Sequence, residues 1–253
     1  MEFQHLLIAG IAALAAGFVN AVAGGGTLIT FPVLIALGVS PVSANVTNTI
    51  ALCPGFFGGT FAQRHDIASL KERFLVLMPF GIAGGIAGGL LLLHTTESSF
   101  RVLIPYLILF ASILLAVQSQ LKKIITRKNR SAVPSFIHKA GTFLLIFLAS
   151  VYGGYFGAGL GVMLIAVLGL VYNDNINKLN ALKQALSLCI NLTAAVYFAF
   201  SGKAQWSFVI VMAAGALAGG TIGGKLARKM NPGIFRWLIV CTGIIVSLFY
   251  FFK

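Results

Sequence analysis

Apolar residues gather in long runs, at about 6–38, 44–63, 74–93, 100–121, 140–172, 181–200, 206–226 and 234–252, separated by short polar stretches. Most runs have the length of one membrane-spanning helix. The runs 6–38 and 140–172 differ, because about 33 residues is too long for one crossing and short for two. Glycine breaks each near its middle, at Gly24-Gly25-Gly26 and at Gly157-Ala158-Gly159-Leu160-Gly161. The piece after each break holds about 12 residues, roughly 18 Å of helix, against a hydrocarbon core of about 30 Å. The pattern predicts broken or re-entrant helical hairpins whose irregular backbone faces protein or a water-filled cavity. It does not choose between full crossing and re-entry.

The two broken runs belong to a larger duplication. Shifted by 135 or 136 residues, Gly24-Gly25-Gly26 falls on Gly159-Leu160-Gly161, Leu52-Cys53 on Leu188-Cys189, and Phe100-Arg101 on Phe235-Arg236. The run Gly84-Gly85-Ile86-Ala87-Gly88-Gly89 likewise falls on Gly219-Gly220-Thr221-Ile222-Gly223-Gly224. One near-constant offset across four landmarks marks an internal repeat. The chain therefore divides into a first membrane half at 1–121, a basic linker at 122–139 and a second half at 140–253.

Composition restricts the class. Of 253 residues, 58% are hydrophobic and 9% charged, against about 25% charged in soluble domains. Mean hydropathy is +0.97. So few charges cannot cover a water-soluble surface, so lipid must cover most of the outside. The net charge of +13 would point a soluble chain towards nucleic acid. Here the cations punctuate apolar runs and read as topology signals, with no nucleic-acid partner expected. Cys53, Cys189 and Cys241 lie within apolar stretches without paired spacing, and read as buried structural thiols. Ala21-Val22-Ala23 resembles a signal-peptide cleavage site, but Met1 to His5 contains no Lys or Arg. The first run is read as part of the fold.

Charge also sets the expected orientation of the halves. The linker carries Lys122, Lys123, Arg127, Lys128, Arg130 and Lys139, a strong cytoplasmic signal. Loop 225–236 is basic, while its repeat partner 90–101 is not; loop 64–73 is basic, while its partner near 201–206 holds only Lys203. Opposite bias in equivalent loops predicts inverted-topology repeats, each with an odd number of crossings. The fold class is an all-α polytopic membrane protein, with about five hydrophobic helices per half and a glycine-broken hairpin opening each.

Several residues are candidates for substrate binding. A helix starting inside the membrane leaves backbone N–H groups without intrahelical partners, and these favour an anion. The candidate starts are Gly24, Gly25, Gly26 and Thr27, and Gly157, Gly159 and Gly161. Thr27 could also cap its helix, and the glycines could serve packing alone. The next helix of each half opens with polar residues, including Asn45, Thr47 and Asn48, then Asn180, Lys183, Gln184 and Ser187. They serve either as caps or as ligand contacts. Lys183 is the sharpest, since no acid lies within the apolar runs to pair with it. It is either the fixed charge for an anion or an interfacial lysine near a helix end. Asn20, Asn48, Gln184, Ser187 and Asn191 either donate to ligand or join helices. The two GGxxGG runs read as helix-packing seams, and Arg101 and Arg236 as interface markers.

No enzymatic site is expected: there is no HExxH, no GxSxG, no carboxylate pair within the runs and no P-loop. Catalytic residues, metal ligands and cofactors are accordingly expected to be none. The sequence leaves a homo-oligomer open.

The segment Gly17-Phe18-Val19-Asn20-Ala21-Val22-Ala23-Gly24-Gly25-Gly26-Thr27, followed by Phe31-Pro32-Val33-Leu34 and Leu37-Gly38, resembles the TauE/SafE family of anion exporters, also called TSUP. Gly153 to Leu170 looks like its repeat. The resemblance covers nearly the whole chain. It implies a multi-pass protein of a bacterial-type inner (plasma) membrane that exports sulfite, sulfoacetate or a related sulfur-containing anion. Tyr155 stands at the Asn20 position and Val167 at the Pro32 position, so the expected site is asymmetric. The leading mechanism is alternating access; a passive anion channel and a non-transporting assembly partner are the rivals.

Overall fold

The computed structural model describes residues 3–127, 136–172, 174–226 and 233–252. They form eleven helices and no strand: α1 (Phe3–Val22), α2 (Thr27–Ala36), α3 (Pro41–Ala62), α4 (Arg64–Ala68), α5 (Lys71–His94), α6 (Glu97–Arg127), α7 (Phe136–Tyr155), α8 (Leu160–Val171), α9 (Ile176–Ala199), α10 (Trp206–Leu226) and α11 (Gly233–Phe251). Among the described residues, five helices (α1, α5, α6, α9 and α10) are long and apolar enough to cross a membrane. Large apolar side chains such as Phe57, Ile210 and Phe249 lie exposed around the outside, as lipid solvation permits. The chain is an all-α polytopic membrane protein.

Residues 128–135 of the basic linker and 227–232 of the second basic loop lie outside the described residues. Arg127 still belongs to α6 and Phe136 already opens α7. The thiols divide: Cys53 is buried, Cys189 is half-buried and Cys241 is exposed. The expectation of three buried thiols therefore fails at Cys241, whose face of α11 points outward.

Glycine decides how the helices pack. Each GGxxGG run is two-faced. A Cβ at Gly84 or Gly88 would collide with the α7 backbone at Phe147 to Tyr155, while one at Gly85 or Gly89 would meet α9 at Ile190 or Ala194. Gly219 and Gly223 likewise abut α1 at Leu14 and Phe18, while Gly220 and Gly224 abut α3 at Gly55 and Gly59. Residues spaced by four share a helix face, and adjacent residues point about 100° apart. One run thus docks a helix against two neighbours. α5, from the first half, seats on α7 and α9 of the second; α10, from the second, seats on α1 and α3 of the first. The halves interlock.

Contacts at the helix ends fix directions. Near the start of α3, Thr47 Oγ1 accepts from the Gln205 N–H at 2.9 Å, beyond the end of α9. Near the start of α9, Asn180 donates to Gln63 Oε1 at 3.0 Å, just past the end of α3. The two helices run antiparallel. α7 runs parallel to α5, because Phe143 stacks on Phe80 at 4.5 Å and Gly88 lies against the Tyr155 N–H. Asp174, past the end of α8, pairs with Arg73 near the start of α5. The α7–α8 hairpin therefore enters and leaves at one end of the bundle.

The other hairpin does the same at the opposite end. α1 runs parallel to α10, with Gly10 beside Val211 and Gly17 beside Ala216 and Gly220. Just past α2, Ser40 Oγ donates to Glu97 Oε1 and the Val42 N–H to Glu97 Oε2, both at 2.9 Å. Each hairpin thus pairs one long helix with a short return helix. With 10 and 12 residues, α2 and α8 reach only about 15 and 18 Å.

Candidate functional site

The tips of the two hairpins meet. A Cβ on Gly24 would lie 3.5 Å from Gly161 Cα, and one on Gly161 would lie 3.5 Å from Gly24 Cα and 3.2 Å from Lys183 Cδ. Lys183 is only 1% exposed, and its Nζ donates to the Asn20 backbone carbonyl at 3.3 Å. Asn20 and Gly24 thus share one interior point with Gly161 and Lys183 of the other half. The interfacial-lysine alternative does not fit this burial.

Each break is built by local conformation. Gly24 and Gly25 have φ of +85° and +96°, and Gly157 and Gly159 both have φ of +78°, a region that costs other residues about 1–2 kcal/mol. These turns reverse the chain between α1 and α2 and between α7 and α8. Gly26 serves a different end: its φ is −58°, but a Cβ would collide with the Ala16 carbonyl. The Asn20 side chain turns inward, and its Oδ1 accepts from the Gly26 N–H at 2.7 Å. Asn20 therefore caps α2 from the preceding helix. Gly26 occupies the N-cap position, so Thr27, buried at 7% exposure, is the first helical residue and does not cap.

The carbonyls at the ends of α1 and α7 also need donors, because lipid supplies none. Gln118 donates to the Ala23 carbonyl at 2.8 Å and Tyr152 to the Ala158 carbonyl at 2.8 Å. Asn45 reaches the Tyr155 carbonyl at 2.7 Å, and Asn180 the Ala21 carbonyl at 3.4 Å. Asn45 and Asn180 match at the repeat offset of 135. Each clamps the broken hairpin of the other half. The offset was the available signal for this pairing; the roles of Gln118 and Tyr152 left none in the sequence.

The remaining candidates spread along α3 and α9. Thr47 is committed to Gln205 and stands away from Lys183. Asn48 and Gln184, equivalent at the offset of 136, are 1% and 0% exposed. Asn48 Oδ1 and both amide atoms of Gln184 have no hydrogen-bond partner among the described residues. The Gln184 amide faces α3, where a Cβ on Gly59 would come within 2.5 Å of its nitrogen. Ser187 is buried, and its carbonyl accepts from Asn191 at 2.8 Å. Asn191 Oδ1 lies near Gly157. Gly25 and Gly159 face α6 at Leu115 and Ala111 instead of Lys183. No group of three or more His, Cys, Asp and Glu that could hold a metal gathers among the described residues.

Chemically, the meeting point offers a buried cation, helix N-termini and backbone without side-chain cover, an arrangement suited to an anion. Comparison with known proteins agrees in class. The probable membrane transporter protein YfcA of Escherichia coli (strain K12) is 25% identical over 237 residues, covering 93% of this chain and 85% of that protein. A probable membrane transporter protein of Haemophilus influenzae is 26% identical, covering 92% and 89%. YunE of Bacillus subtilis (strain 168), also a probable membrane transporter protein, is 22% identical, covering 96% of each. The family profile described as sulfite exporter TauE/SafE matches residues 9–250, and the chain belongs to this family of membrane transporters.

Proposed function

We propose that this protein exports a small sulfur-containing anion, such as sulfite or sulfoacetate, across a bacterial inner membrane by alternating access. The anion sits where the hairpin tips meet, between Gly24 and Gly161, with Lys183 as its fixed positive charge. The single observation that carries this reading is the burial of Lys183 at that contact. Glycine at the tips puts no side chain between an anion and the backbone. Asn48, Gln184, Ser187 and Asn191 supply amide and hydroxyl groups along the route.

The two halves lie inverted in the membrane in this reading. Its support is the antiparallel run of α3 and α9 and the opening of the hairpins at opposite ends. Counted as two passes or as a re-entrant dip, the hairpin leaves each half with five or three crossings, the odd count that inversion requires. Transporters of this design hold substrate at the repeat interface, near the midplane. For a monovalent anion, exit from a negative cytoplasm is downhill by about 2.3 kcal/mol per 100 mV, so membrane potential suffices as a driving force.

The test is counterflow in proteoliposomes loaded with sulfite, sulfoacetate, thiosulfate or sulfate. Saturable exchange of at least one is expected. Absence of exchange for all four rejects the sulfur-anion assignment, and conduction without counterflow identifies a passive channel. Lys183→Gln should weaken anion affinity about tenfold or more, the worth of one charged hydrogen bond. Unchanged affinity removes Lys183 from the site.

A further inference from the structure

A cavity lies away from the hairpin tips. Where α3 ends and α5 begins, α3, α4, α5 and α9 enclose a cavity of about 360 Å³, within the range of ligand pockets. Phe57, Phe61 and Leu188 give it apolar walls, and the hydrocarbon stems of Arg64 and Lys71 complete the lining. The described lining includes no acid. Arg73, close by in sequence, is engaged by Asp174. The Arg64 guanidinium lies over the Phe61 ring, 4.7 Å from its centre, which sets the charge directly above the apolar wall. Thr60 also lines the cavity, and its hydroxyl is buried without a partner among the described residues.

Phe57 and Phe61 are 57% and 56% exposed, so the cavity opens towards lipid. An apolar slot beneath two cations matches an acyl chain beneath a phosphate. Free phosphate would use the cations and leave the aromatic wall unoccupied. Basic pockets between membrane helices are recognised binding places for anionic headgroups, and a cation–phosphate hydrogen bond is a strong one.

We propose that this cavity binds one anionic phospholipid, with a chain against Phe57, Phe61 and Leu188 and the phosphate on Arg64 and Lys71. Leu188 stands one turn after Gln184, so the bound lipid braces the helix that carries Lys183. The assignment is independent of what the transporter carries.

Native mass spectrometry of the full-length protein tests it, after purification from membranes containing phosphatidylglycerol and phosphatidylethanolamine. One phosphatidylglycerol per chain should be retained in preference. The double variant Arg64→Gln/Lys71→Gln should lower that retention about tenfold or more. Leu188→Trp, which fills the slot and keeps both cations, should lower it too. Equal retention of the two lipids overturns the proposal, as does unchanged retention in the variants. Should the double variant fail to fold, Leu188→Trp decides alone. Binding of inorganic phosphate to lipid-stripped protein, without preferential retention of phosphatidylglycerol, overturns it in favour of a free-anion site.

Discussion

Lys183 and the glycines around it show how much one position depends on its neighbours. Gly24 and Gly161 touch, yet they are glycines for different reasons. Gly24 has a positive φ, so Gly24→Ala should strain the turn and destabilise the protein by about 1 kcal/mol or more. Gly161 leads α8, and an added methyl meets the flexible Lys183 chain at 3.2 Å. Gly161→Ala should therefore leave the melting temperature in detergent nearly unchanged and raise the KM for counterflow. An unchanged KM would place the substrate elsewhere. Asn20→Ala removes the acceptor of the Gly26 N–H and should cost about 1 kcal/mol, as loss of a helix cap does. A polar residue in an apolar run was visible at Asn20, but its target six residues away was not.

At the scale of helices, the two-faced glycine runs do the joining. Gly88 presses on α7 and Gly89 on α9. Without a hydrophobic driving force between helices in lipid, close backbone approach supplies the association. Gly88→Val should prevent α5 from seating on α7 and lower the yield of folded protein; overpacking costs about 1–3 kcal/mol even where neighbours can shift. Gly141→Val is the control, because a Cβ there meets nothing within 4 Å. Equal thermal stability of the two variants in detergent would show that the seam does not hold the helices. The spacing of the runs was legible, but their partners were not: a seam names its own face, not the helix across it.

For the molecule as a whole, the interlocking of the halves limits what can move. α5 and α10 each seat on helices of the other half, so a rigid rotation of one sequence half against the other would tear both seams. Under the proposed alternating access, the moving unit would therefore have to be built from helices of both halves. Topology itself can be checked by cysteine labelling in a background free of Cys53, Cys189 and Cys241. Ser69→Cys and Gly202→Cys lie at opposite ends of the bundle, beside α5's start and past α9's end. A membrane-impermeant maleimide should reach Gly202→Cys from the outside of intact cells and Ser69→Cys only after lysis. Labelling of both from one side would reject the proposed topology.

By itself the sequence determined the membrane class and the places where helices break, and it proposed a duplication. The first two depend on composition and local backbone chemistry, which are properties of short stretches. It nominated Lys183 because a lysine in an apolar run stands out against its neighbours. Tertiary structure alone decided that each hairpin enters and leaves at one end of the bundle, since that depends on pairings such as Asp174 with Arg73 and Ser40 with Glu97. It also decided that Asn20 caps a helix, that Thr47 belongs to a loop contact and that Gly24, Gly161 and Lys183 share one point. A linear pattern records what each segment must bury; only the packed bundle settles which segments bury it together.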